Sequence, residues 1–66
     1  MEDYKLIEEK FNLGSSDILE YGILGYSKAD SKNPKYKNFV FDVEIVKDIY
    51  PQKYNIKIYE KKIISL

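Results

Sequence analysis

Ten residues, Lys37 to Val46 (KNFVFDVEIV), constrain the fold more than any other part of the chain, because apolar and polar residues alternate there over a full strand length. Phe39, Phe41, Val43 and Ile45 fall on one side and Val40, Asp42, Glu44 and Val46 on the other, since successive side chains of a strand point to opposite faces. The pattern predicts a strand with one buried face.

A second alternation follows, Tyr54, Ile56 and Ile58 against Asn55, Lys57 and Tyr59, and Ile49-Tyr50-Pro51-Gln52 between the two reads as the reversal. A four-residue loop at 49–52 would set Ile45 opposite Ile56, Val43 opposite Ile58, Val46 opposite Asn55 and Glu44 opposite Lys57. Apolar then meets apolar on one face. Opposite charges meet on the other, where a cross-strand pair contributes roughly 0.2–1 kcal/mol. A slip of one residue would turn every side chain to the wrong face, so the agreement supports this register.

Upstream, Tyr4, Ile7 and Phe11 recur at helical spacing, Glu2 and Asp3 suit a helix N-terminus, and Lys10 suits its C-terminus. Residues 2–12 are therefore expected to be a helix, stopped at Gly14. Ser15, Ser16, Asp17 and Glu20 have the outline of a helix start, but Gly22 and Gly25 argue against its continuation. Residues 18–28 are read as a strand and 29–36 (ADSKNPKY) as a polar loop. The expected fold is α+β: an N-terminal helix packed on a three-stranded antiparallel β-meander, with 37–46 central and the helix over the Phe39, Phe41, Val43, Ile45 face.

The chain is expected to be one domain spanning residues 1–66, and so short a chain buries only about 60% of the surface its unfolded form exposes. Small domains add disulfides, a metal or a partner subunit, and with no Cys and no His the first two devices are effectively absent. A homodimer is the expected remedy. The apolar end KKIISL, with Ile63 and Ile64, would then extend the last strand or pair with a second copy. Seven tyrosines exceed what a small core can hide, and Tyr suits protein interfaces. The expected partner interface comprises Tyr26, Tyr36, Val40, Tyr50, Lys57, Tyr59, Ile63 and Ile64.

Net charge is zero but unevenly placed: residues 1–26 carry six acids against two lysines, and residues 27–66 carry nine lysines against five acids. Every basic residue is Lys, so the bidentate contacts that Arg makes with phosphate or guanine are unavailable. Without His, Cys or Arg, an enzyme is not expected; Asp42 and Glu44, two apart on one strand face, form the one carboxylate pair placed for acid–base work, and Lys57 offers it an ordinary ion pair. The Gly22-Ile23-Leu24-Gly25 spelling lacks the basic residues of an RNA backbone clamp. No catalytic residue, metal ligand or cofactor site is expected. A lysine and tyrosine sheet face (Lys53, Lys57, Tyr59, Lys61) sustains one alternative, stacking of single-stranded nucleic acid or RNA.

The N-terminus lacks the basic start and apolar run of a signal peptide, and no apolar stretch approaches membrane-spanning length, so a cytoplasmic protein is expected. Lys, Ile and Tyr usage points to A/T-rich coding. A small chain of this kind without a ligand motif is similar in character to phage or mobile-element accessory proteins, viral proteins that include inhibitors of host and defence factors. That likeness implies a protein-binding inhibitor, active as a homodimer, that masks a surface of a larger protein.

Overall fold

In the computed structural model, which describes residues 3–62, the organising element is the last strand. Strands β1 (Tyr4–Leu13), β2 (Phe39–Val46) and β3 (Lys53–Lys61) form one antiparallel sheet in the order β1-β3-β2, with helix α1 (Ser15–Tyr21) between β1 and β2 in the chain and a 3-10 turn at Pro34–Tyr36. The small α+β domain with three antiparallel strands and a helix near its N-terminus is as the sequence predicts. Its internal order is not.

Residues 4–13 are a strand, not a helix. Pairing this segment with β3 satisfies the second backbone edge of β3 and helps to bury Ile56 and Ile58, a tertiary gain that outweighs weak local helix preference. β3 is therefore the central strand, and the sheet is not a sequential meander. β1 runs irregularly. Its register slips between Leu6 and Glu8 and again between Lys10 and Leu13, where Asn12 takes a left-handed conformation (φ 57°) and donates its N–H to Asn55 Oδ1 at 3.0 Å.

Residues 15–21 are the helix, where a strand over 18–28 was expected. Gly14 precedes it in extended conformation, and the Asp17 carboxylate accepts the Gly14 N–H at 3.0 Å. Gly22 stops it: at φ 69° it takes the left-handed cap and donates its N–H to the Leu19 carbonyl at 3.0 Å. The glycine that seemed to forbid a helix thus terminates one, and Gly14 begins a helix instead of ending it.

The hairpin of β2 and β3 pairs Val43 with Ile56, Glu44 with Asn55 and Asp42 with Lys57, two residues away from the expected register. A shift of two preserves both faces, so the apolar pattern could not detect it. The connecting loop is six residues long, Lys47 to Gln52. Asp48 takes the left-handed conformation there (φ 60°), and the Gln52 amide donates to the carbonyls of Val46 and Lys53 at 3.1 and 3.0 Å.

The core lies on one sheet face. Phe41, Ile56 and Ile58 are buried, and Leu13, Ile18, Tyr21, Ile23, Tyr36, Phe39 and Val43 pack around them. The helix on this face is α1, not residues 2–12: its Ile18 and Tyr21 pack on the buried cluster, Phe39 meets Tyr36 of the 3-10 turn instead, and Ile45 is left 45% exposed. Tyr36 and Tyr21 stand 5.4 Å apart and lie 5.8 and 5.6 Å from Phe41, centroid to centroid, which fastens the 3-10 turn and the helix to one aromatic centre.

The segment after α1 is not merely a solvated loop. Ser31 donates its hydroxyl to the Tyr21 carbonyl and accepts the Asn33 N–H at 3.0 Å, which folds the loop back on the helix end. Ala29 is buried and exchanges two 2.9 Å backbone hydrogen bonds with Phe41, while Val43 donates to the Tyr26 carbonyl at 2.7 Å. Residues 26–29 therefore shield the outer edge of β2. The outer edge of β1 pairs with no strand among the described residues.

Candidate functional site

The sheet face opposite the core is built from alternate residues of all three strands. The paired registers place Glu9 and Asp42 on either side of Lys57, and Leu6 and Val40 on either side of Tyr59. β1 is itself charge-balanced, Lys5 and Lys10 against Glu8 and Glu9, and its register sets Glu9 opposite Lys57 and Lys5 opposite Glu60.

Residues 26–28 rise over the edge of this face and organise it. Lys28, held at φ 48°, donates its backbone N–H to Asp42 Oδ1 at 2.7 Å and its ammonium to Oδ2 at 2.9 Å. The same ammonium lies 4.3 Å from the centre of the Tyr59 ring, a cation–π contact. Burial, the largest single influence on Asp42, pushes its carboxyl upward, but the Lys28 hydrogen bonds and charge together outweigh burial and hold it below the usual carboxylate value. The Asp42 hydrogen bond in turn raises the Lys28 ammonium.

Between Tyr26 and Phe11 this face opens into a groove of about 370 Å³ lined by Glu9, Asp42, Glu44, Asn55 and Lys57. Phe11 is 62% exposed and Tyr26 58%. Among the described residues Glu9, Glu44 and Lys57 enter no salt bridge, whereas Asp42 is committed to Lys28. The groove thus offers two exposed aromatic side chains flanking charged groups of which Glu9, Glu44 and Lys57 form no salt bridge among the described residues.

The structure brings together only part of the expected interface. Tyr26 and Lys57 line the groove, and Tyr59 lies beside it under Lys28. Val40 is buried, 1% exposed, and offers no contact area. Tyr36 is half-buried in the aromatic centre on the other face, because the 3-10 turn tucks it against Phe41. Tyr50 is 95% exposed but sits at the hairpin tip, away from the groove. Ile63 and Ile64 lie outside the described residues. Phe11 was assigned to a helix core and missed; once 4–13 is read as a strand, the two-residue step from Glu9 to Phe11 puts both on one side.

The Asp42 and Glu44 pair is split chemically. Asp42 answers to Lys28 and lies opposite Lys57, while Glu44 is exposed opposite Asn55. Among the described residues no group of three or more His, Cys, Asp or Glu could hold a metal ion, and no helix is long and apolar enough to cross a membrane. Comparison with known protein families, curated proteins and solved structures finds no match for the chain.

Proposed function

We propose that this chain is a small protein–protein interaction module that binds a larger protein through its open sheet face and acts by masking the surface it covers. The observation that carries this reading is the pairing of two exposed aromatic residues, Phe11 and Tyr26, across a groove whose Glu9, Glu44 and Lys57 charges have no internal partner among the described residues. Large exposed aromatic side chains are the kind of residue in which binding energy concentrates. In the accessory-protein setting that the sequence resembles, the masked protein is a host factor, defence proteins included, and the site of action is the cytoplasm.

The nucleic-acid alternative fits the same face less well. Three carboxylates, Glu9, Asp42 and Glu44, surround Lys57, and the Tyr59 ring is already occupied by Lys28. A strand of phosphates would meet acid there, not a basic track.

The test uses wild-type, Phe11→Glu and Tyr26→Glu chains as baits in the cells that make the protein. One discrete partner should be held by the wild type, persist at high salt, and weaken by about tenfold or more in each variant, the effect of an anchor residue. A partner bound equally by all three removes the reading. Bound oligonucleotide released steeply by salt would establish the alternative instead.

A further inference from the structure

The charges of the open-face groove do not cancel among themselves. Its lining holds three carboxylates, Glu9, Asp42 and Glu44, and one ammonium, Lys57. Asp42 is answered by Lys28, whose ammonium lies 2.9 Å from Oδ2. Lys57 stands directly opposite Glu9 across β1 and β3, so those two charges offset although they form no salt bridge. Glu44 is left over. It is exposed, faces the uncharged Asn55 across the hairpin and forms no salt bridge among the described residues.

The side chains that flank this carboxylate are aromatic and free. Phe11 and Tyr26 are both more than half exposed, and neither ring enters an aromatic pair or a cation–π contact among the described residues, whereas the rings of the core stack on one another and Tyr59 is covered by Lys28. The face of an aromatic ring attracts a cation. Open ring faces and a spare carboxylate therefore call for the same ligand chemistry from two directions. Of the two basic side chains, arginine meets both at once, because its planar guanidinium stacks on a ring while its fork of N–H groups donates to a carboxylate.

We infer that the groove receives an arginine side chain of the partner protein, its guanidinium set between the Phe11 and Tyr26 rings and donating to Glu44, with Glu9 adding attraction from the first strand. This rests on the contact surface proposed above and adds the chemistry that its partner presents there. Partly buried in the groove, such a charge pair is screened by salt much less than one on open surface.

Proton–nitrogen NMR spectra of the chain, titrated at low salt with end-blocked Gly-Arg-Gly, Gly-Lys-Gly and Gly-Glu-Gly peptides, test this without the partner itself. The arginine peptide should give saturable shifts at the amides of Phe11, Tyr26, Glu44 and Lys57, the lysine peptide should bind more weakly, and the glutamate peptide should leave these amides unmoved. A chain carrying both Glu9→Gln and Glu44→Gln, checked for unchanged circular dichroism, should bind the arginine peptide about threefold more weakly, the effect of losing two exposed charge contacts. If that variant does not fold, the ranking of the three peptides on the wild type still decides. No saturable shift at these amides, a lysine or glutamate peptide bound as tightly as the arginine one, or equal affinity in the double variant would overturn the proposal. With a captured partner the two readings separate: a protein lost from Phe11→Glu but fully kept by the double variant leaves the contact surface standing and removes the arginine.

Discussion

Replacing Phe41 by Leu should cost about 1–3 kcal/mol and leave the chain folded. The ring is fully buried and stands 5.6 Å from Tyr21 and 5.8 Å, edge-on, from Tyr36. Leucine keeps most of the apolar volume but loses both aromatic contacts, each worth about 0.5–1.5 kcal/mol beyond area burial. A chain of 66 residues has roughly 3–10 kcal/mol of total stability, so the loss is large but survivable. Phe41→Ala, at about 3–5 kcal/mol, would consume most or all of it. Urea unfolding followed by circular dichroism and tyrosine fluorescence reads the difference, since the chain has no Trp to obscure the signal. With a slope of about 1 kcal/mol per molar urea, the midpoint should fall by roughly 1–3 M. Phe39→Leu is the control: its ring reaches only Tyr36, at 6.2 Å, among the aromatic pairs, and it should cost less. A Phe41→Leu chain within about 0.5 kcal/mol of wild type, or a costlier Phe39→Leu, would refute an aromatic centre at Phe41.

Gly22→Ala should lose about 1–2 kcal/mol from the left-handed conformation alone, and more because the new Cβ would lie 3.0 Å from Ser31 Oγ; an unchanged urea midpoint would contradict the capping role. Cysteines at Glu44 and Asn55 should oxidise readily to a disulfide, whereas cysteines at Glu44 and Lys57 should not, because only the first pair is directly opposed; the reverse outcome would restore the four-residue loop. The Asp42 carboxyl is held below its usual value, so the native state binds fewer protons than the unfolded state in the interval between the two values. Its contribution is complete above the unfolded value of about 4 and is lost as the pH falls through the native one. Urea midpoints of the wild type should drop on acidification below about pH 4, and Asp42→Asn should flatten that part of the curve; an identical acid slope in the variant would show that Lys28 does not hold the carboxylate.

Period-two alternation located β2 and β3 and named the buried face, because a sheet with one wet side imposes that pattern directly. It left the register open to even shifts, which turn on backbone features of the loop: the left-handed Asp48 and the amide of Gln52. β1 was illegible for a different reason. Tyr4, Ile7 and Phe11 satisfy a helical stripe, while Tyr4 and Leu6 equally satisfy a strand interrupted by a bulge, and only the need of β3 for a second neighbour decides between them. Gly22 shows the same ambiguity, since a glycine that weakens a strand is also the best residue to end a helix. The site followed the fold in part: Lys57 was found as a surface residue of a hairpin correctly faced, Tyr26 was found although the strand over 18–28 that was to carry it does not form, and Phe11 was lost with the strand that carries it. The commitment of Lys28 to both Asp42 and Tyr59 left no trace in the sequence, because it depends on how residues 26–29 are laid along β2.

The central claim, that the open sheet face is the contact surface for another protein, is tested most directly by placing a photo-cross-linking residue at position 11 and, separately, at exposed position 37, in the cells that make the chain. One discrete protein adduct is expected from position 11, and none from position 37. Equal adducts from both positions, an adduct only from position 37, or nucleic acid as the captured species at position 11 would contradict it.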